Sequence, residues 1–557
     1  MGSIIGKLSF DRLVSPFDET SAGASDARNI RAVADSQLLN AGDLRETLER
    51  GGHRFPMRTD AELIAHAYDR WGTRAFEQLR GPFACAVWDS TNRRLVLARD
   101  HVGVRCLYFA ILHGDGVIFA SDVRALAHDP GVARESCPNG IDSYLALGYI
   151  PSPLTAFRQI SKLQPAHYLL VEGRRLHLEE YWDFPTTRTA TRCGSVTAVA
   201  ASLRTSVRHE LSHHKEAALL YSGGTASSAI LSVTPETLGM PITVRTDQDP
   251  AELARSDAAA SMLGRSRELE MPEQRVSSLI ESIAAANGEP FADPSAVTQL
   301  AIYAAAARHR EVALTGHGAA ILWGGQDRRA LLSPFAAGSG NESATTDEST
   351  VWEDMRRRSI YTRGFAWKVR DTNPFSGHLE RWRSREDDAP ADRLRYVNAR
   401  TLLPDNVLAV AANSSRAAGV SLRCPFLDHQ MTELAMQTPV TVSRRGRSAT
   451  DVIHQLFAPR LTRRLRPPAL RGRVRHSWLA PILTMLVPEM LLGPRFDGRD
   501  IVSRPALRRF WNEHLTGRVD HSRRLWSLLM LEFWFRQFID GDAAAEPLEY
   551  AVLVKAA

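Results

Sequence analysis

Apolar positions along this chain follow two rhythms, and the change between them lies near residue 190. Before it, short apolar runs are separated by polar turns. Phe83-Ala-Cys-Ala-Val-Trp88 and Arg94-Leu-Val-Leu-Ala98 flank Asp89-Ser-Thr-Asn92, the pattern of a hairpin with a polar turn. Val117–Ala120 and His167–Val171 continue the strand pattern, whereas Asp43–Gly51 and Asp60–Trp71 space their apolar residues as helices do. Residues 1 to about 185 are therefore predicted to form an antiparallel β-sandwich with accompanying helices.

From about residue 195 strands and helices alternate. Ala217-Ala-Leu-Leu-Tyr221 is a continuous apolar run ending in Ser222-Gly-Gly224, with a helical stretch from Ser227. Ile242–Val244 and Val312–Thr315 repeat the theme. Strand, glycine turn and helix in succession predict a parallel sheet covered by helices, with the glycine turn at a strand's C-terminal end, where such sheets place ligands. Residues 336–350 are small and polar and predict a flexible surface loop; the rest, to about residue 545, is predicted to be mostly helical.

Composition narrows the class. A chain of 557 residues with 44% hydrophobic and 24% charged residues suits two or three globular domains. The net charge of +6 is carried almost wholly by arginine, since lysine occurs only at positions 7, 162, 215, 368 and 555. Cys85, Cys106, Cys137, Cys193 and Cys424 form no CxxC pair, which argues against zinc or a disulfide framework and suits a reducing cytoplasm. No apolar run approaches the roughly 20 residues that span a bilayer, and Gly6 breaks a myristoylation motif, so no membrane partner is expected. The arginines of 460–475 lack an interleaved aromatic platform, so nucleic acid is not an expected partner either.

Leu79-Arg-Gly-Pro-Phe-Ala84, Trp88-Asp89, Leu97-Ala-Arg-Asp100, Gly103-Val-Arg105, Leu107-Tyr108, Tyr144–Tyr149, Pro151-Ser-Pro153 and Tyr181-Trp-Asp183 follow one another in the first part. Ser222-Gly-Gly-Thr-Ala-Ser-Ser228, Glu289-Pro-Phe-Ala-Asp-Pro-Ser295, Leu314-Thr-Gly-His-Gly318, Gly324-Gly325 and Cys424-Pro-Phe-Leu-Asp428 follow in the second. In order and spacing these segments resemble the family of glutamine-dependent asparagine synthetases, β-lactam synthetases and lasso-peptide cyclases, over about residues 1–480. The resemblance implies an α+β Ntn-hydrolase-like domain over 1–190, of degenerate glutaminase type. An α/β ATP-pyrophosphatase-like (adenine nucleotide alpha hydrolase-like) synthetase domain with a helical C-terminal part would follow over 191–557.

That resemblance also implies chemistry: the second domain activates a carboxylate with ATP, and an amine then forms an amide. It places the nucleotide at Tyr221, Ser222, Gly223, Gly224, Ser227, Ser228, Val244, Thr315 and Gly316. Small residues after a strand let backbone N–H groups converge on phosphate. His317, where the family has glutamate or tyrosine, is a candidate catalytic base, and Arg423 is the retained basic residue of the family's Glu-x-Arg-x-Pro-Phe-Leu-Asp motif.

The departures point in one direction. Gly2 stands where the glutaminase would have its cysteine, and only about 35 residues precede Asp35-Ser-Gln37, which occupies the place of an Asn-Gly-Glu. Asp60 is retained. The family's magnesium aspartates fall on Ala226 and on Ala320 or Ile321, so no residue is assigned to a metal and magnesium has no fixed place. An expected acid is Gly288, the motif glutamate is Ser421, and no lysine lies between Lys368 and Lys555 to act as the catalytic lysine expected near 460–480, where only Arg464, Arg466, Arg471 and Arg473 occur.

The leading expectation is a lasso-cyclase-like or β-lactam-synthetase-like homologue with weak or absent adenylation and a structural or peptide-binding role in natural-product maturation. Its partners would be a precursor peptide or small carboxylate and a maturation peptidase. The rivals are an active ATP-dependent amide ligase and, least favoured, a glutamine-dependent asparagine synthetase.

Overall fold

The computed structural model describes residues 4–9, 29–112, 116–186, 196–212, 214, 216–222, 224–234, 240–245, 267–270, 276–323, 354–440, 453, 478–542 and 554–556, with backbone alone at 240–245, 267–270, 276–278, 354–356 and 554–556. Gly2, Gly223, the expected loop 336–350 and the arginines of 460–475 lie outside the described residues. Two compact units emerge: Met1–Cys137 with Pro151–Phe184 and Leu403–Ala409, and Pro138–Ile150 with Pro185–Leu402 and Val410–Ala557.

Among the described residues the first unit holds nine strands: β1 (Ile5–Ser9), β2 (Ile30–Ser36), β3 (Phe83–Asp89), β4 (Arg94–Arg99), β5 (Tyr108–Leu112), β6 (Gly116–Ala120), β7 (Ile160–Lys162), β8 (His167–Glu172) and β9 (Arg175–Glu180). They form two antiparallel sheets, ordered β1-β6-β5-β7 and β2-β3-β4-β8-β9. Because side chains alternate along a strand, Ala84, Ala86 and Trp88 of β3 join Leu95, Leu97, Val117 and Phe119 in the core between the sheets. The intervening Phe83, Cys85 and Val87 face a second core with Leu63, Ile64, Ala67 and Phe76 from the helical layer. Burial on both faces is why these strands read as unbroken apolar runs.

Asp100 and Arg99 explain two of the motifs as a structural knot. Asp100 accepts backbone N–H bonds from Val102, Gly103, Val104 and Arg105, and Arg99 donates to the carbonyls of Arg105, Leu163 and Gly103.

In the second unit, β10 (Ala218–Tyr221), β11 (Met240–Arg245), β12 (Arg267–Glu270), β13 (Val312–Leu314), β14 (Ser421–Arg423) and β15 (Val554–Ala556) form one sheet, ordered β14-β13-β10-β11-β12-β15. Its first five strands are parallel, as the sequence predicts, and β15 closes one edge antiparallel. The alanine-rich helix Ser295–Ala307 lies close on the sheet, packing Tyr303, Ala305 and Ala306 against Ala218, Ala313 and Val420. Helices dominate the described residues beyond 354, with β14 as an interruption that the sequence signals only as a motif. Among the described residues no helix is long and apolar enough to cross a membrane.

Candidate functional site

The chain leaves β10 towards β11 and β12, then returns to place β13 on β10's other side. The strand order therefore reverses between β10 and β13, the crevice where parallel sheets bind ligands. Both strands end there in small residues. Leu219 pairs with Leu314, so Tyr221 and Gly316 reach the sheet edge at the same level.

After β10, Ser222 leads into the nine-residue helix Thr225–Val233, whose N-cap is Gly224. No side chain caps that helix, so its first N–H groups have no side-chain acceptor of that kind, as an anion site requires. Hydroxyls surround the turn: the Ser222 and Ser227 Oγ atoms lie 3.4 Å apart, Gly224 N donates to Ser222 Oγ at 3.3 Å, and Ser227 Oγ donates to Gly224 O at 3.2 Å. A Cβ on Gly224 would come 3.2 Å from Ser222 Oγ, so a side chain there would crowd the turn. Tyr221 and Ser228, both buried, face each other at 3.3 Å through their hydroxyls and brace the turn from below. Val244 lies on β11 one position beyond Thr243, the register partner of Tyr221.

After β13, Thr315 is buried and donates its N–H to Arg423 O at 2.9 Å. Gly316 packs directly on the neighbouring turn: a Cβ there would lie 2.6 Å from Ala226 Cβ. Gly318 has φ +86°, where an L side chain is strained, and a Cβ on it would meet the Leu427 side chain at 2.2 Å and force it to move. The residues matched to the family's magnesium carboxylates thus carry a methyl at Ala226, an exposed methyl at Ala320 and a buried alkyl chain at Ile321. Among the described residues this donor set fits nucleotide phosphate and offers no carboxylate to a divalent cation.

His317 is half-buried, and its Nε2 lies 2.7 Å from the Tyr303 hydroxyl. Burial pushes the imidazole down to about 4 and the Tyr303 phenol upward. Tyr303 also donates to Gln299 Oε1 at 3.3 Å, and Gln299 Nε2 donates to Ser295 Oγ at 3.3 Å. Neither Tyr303 nor Gln299 stands out in the sequence; the one available signal was two polar residues at i and i+4 in an alanine-rich helix.

Arg423 is brought to the β13 edge but its guanidinium turns to Ser421 Oγ at 2.8 Å and His214 Nε2 at 3.0 Å. Ser421, two residues away on the same strand face, takes one of its donors. Gly288, in place of an expected acid, has φ +68° and offers its carbonyl to Trp534 Nε1 at 3.0 Å. Asp428 is a helix cap that accepts from Gln430 N.

In the first unit, Asp60 Oδ2 accepts from Ser36 Oγ at 3.1 Å and Leu38 N at 2.9 Å, and Asp35 lies 3.3 Å from Arg105. The carboxylates near the segment that replaces Asn-Gly-Glu are thus engaged within the fold.

Comparison with known proteins gives a glutamine amidotransferase domain match over residues 21–182 and an asparagine synthase match over residues 198–536. A putative glutamine-hydrolysing asparagine synthetase of Mycobacterium bovis is 26% identical, over 92% of this chain and 85% of its own length. Asparagine synthetase 1 of Bacillus subtilis is 24% identical over 93% and 87%, and an amidase, chry2, of Gibberella zeae is 23% identical over 77% and 73%.

Proposed function

Because the chain belongs to the asparagine synthase family, whose members use ATP to form amides, we propose that it keeps the family's nucleotide-phosphate cradle while adenylating carboxylates weakly or not at all. In this reading it is a homologue of lasso-cyclase or β-lactam-synthetase type, with a peptide-binding or structural role in natural-product maturation. A precursor peptide or small carboxylate is its ligand and a maturation peptidase its partner.

The observation that carries the reading is the methyl of Ala226 set against Gly316 at the mouth between β10 and β13. Ser222, Gly224, Ser227 and Ser228 would hold the phosphates of ATP, which supplies the activating group for a carboxylate. Positioned magnesium ordinarily stabilises the charge on the leaving pyrophosphate, and Ala226 and Ala320 offer it nothing. Loss of even about 4 kcal/mol of that stabilisation would slow the step roughly a thousandfold.

The test is carboxylate-dependent pyrophosphate exchange by the purified chain, across small carboxylates and precursor peptides. Very slow exchange is expected. Brisk magnesium-dependent exchange would instead favour the second reading, an active amide-forming ligase with another metal arrangement, which the neutral, hydrogen-bonded His317 also supports.

A further inference from the structure

We propose that this chain pairs with a second copy of itself along the outer edge of β9, joining two five-stranded sheets across a two-fold axis at His177. β9 ends the sheet β2-β3-β4-β8-β9, and among the described residues no strand pairs with its outer side. Every residue of β9 is exposed, Leu176 at 37% and Leu178 at 47%. Such an edge is a template for another strand, and chains ordinarily blunt it with lysine, proline or a bulge. Arg175–Glu180 contains no lysine or proline, and its register with β8 runs unbroken from Arg175 opposite Glu172 to Glu180 opposite His167.

The backbone decides which residues can pair. Tyr181 donates its N–H inward to Ala166 O at 2.9 Å. Backbone groups of an antiparallel strand alternate in direction, so Arg175, His177 and Glu179 turn theirs to β8 while Leu176 and Leu178 turn theirs outward. Residues directly opposite across an antiparallel pair share a face. A two-fold axis normal to the sheet must therefore pass through a residue and not between two.

Centred on His177, the strand complements itself, as an isologous interface requires. Leu176 meets Leu178 of the second copy and exchanges both backbone bonds with it, Arg175 meets Glu179, and the axis repeats each pair. Leu176 and Leu178 stand opposite Val171 and Leu169, which belong to the core between the sheets, so the leucine pairs extend that apolar face across the junction. On the other face Glu179 engages the Tyr168 hydroxyl and His177 Nε2 through Oε2 alone, which leaves Oε1 to accept from the arginine. Centred instead on Leu178, the pairing would set Leu176 against Glu180 and press apolar surface on a carboxylate. The charges of β9 thus specify one register, where charges of a single sign would repel a second copy.

The test is sedimentation of the full chain over a series of concentrations, with circular dichroism to show that each variant is folded. The mass should rise to twice that of one chain. Arg175→Glu and Glu179→Arg should each hold it at one chain, because like charges then face each other, and the double variant Arg175→Glu/Glu179→Arg should restore the doubling. Register is read by cysteine. His177→Cys puts two Cα atoms about 4.5 Å apart on the axis, within disulfide reach, so mild oxidation should link two chains, while Leu178→Cys, which faces Leu176, should not link. A mass of one chain at every concentration, growth beyond two copies, a doubling that both single charge reversals leave intact, or linkage through Leu178→Cys in place of His177→Cys would each overturn the proposal.

Discussion

Gly316 lies so close to Ala226 that a methyl added to it would stand 2.6 Å from the Ala226 methyl. The loops after β10 and β13 therefore meet through the absence of one side chain and the smallness of the other. Gly316→Ala forces them apart and should cost about 1–3 kcal/mol, the range for overpacking, with weaker nucleotide binding. Adding Ala226→Gly should recover most of the loss, since the remaining neighbours, Ala226 C and Ser227 N, lie at 3.4 Å. Denaturant titration of both single variants and the pair measures this coupling.

Asp142 in the second unit is buried and accepts from Arg357 at 2.7 Å, Tyr361 Oη at 2.6 Å and Thr372 Oγ1 at 3.3 Å. Burial raises its pKa and the Arg357 guanidinium opposes that rise. Asp142→Ala leaves a buried guanidinium without this carboxylate and should destabilise the chain by about 3–5 kcal/mol. Asp142→Asn should cost less, because it keeps an acceptor. Urea midpoints of the two variants should fall in that order.

Much of the fold is legible in the sequence where burial is one-sided or complete. β3 and β4 read as strands because both faces are apolar, and the turn Asp89–Asn92 is polar. β9 escaped notice because Arg175–Glu180 is an exposed strand of mixed polarity, and β12 because its four residues include three charges. The glycine framework of the site is equally legible, since Gly316 and Gly318 answer to steric demands local to their loops. Tyr303 was not, because fourteen residues separate it from His317 and only the packing of its helix on β10 and β13 joins them. Nor did the sequence show that Arg423 turns to Ser421 and His214.

The depressed pKa of His317, about 4 against an ordinary 6.5, sets a sign for acid stability. The unfolded chain takes up this proton first, so the contribution is full above pH 6.5 and is lost as pH falls towards 4. The facing Tyr303 phenol, pushed up by burial, stays protonated throughout. Thermal melts should show His317→Gln losing less stability than the unsubstituted chain across that window. Equal losses would mean the imidazole is solvated like a surface histidine.

Asp60 is committed to Ser36 and Leu38 at the end of β2. Asp60→Ala removes the acceptor of both bonds and should cost about 1–3 kcal/mol of stability. A glutamine assay should detect no glutamate from either form above a buffer control. Steady glutamate release that Asp60→Ala abolishes would restore a glutamine-binding role to this carboxylate.

Whether the phosphate cradle persists without a fixed magnesium site is decided by calorimetry of ATP binding with and without magnesium. Binding should change little on adding magnesium, because backbone N–H groups and serine hydroxyls at Ser222–Ser228 would do the holding. In the double variant Ala226→Asp/Ala320→Asp, magnesium should strengthen binding, while turnover stays low because Ser421 and the lysine-free 369–554 stretch are unchanged. Strong magnesium dependence in the unsubstituted chain, undiminished or unaltered by the two aspartates, would show that other side chains hold the metal and would contradict the account.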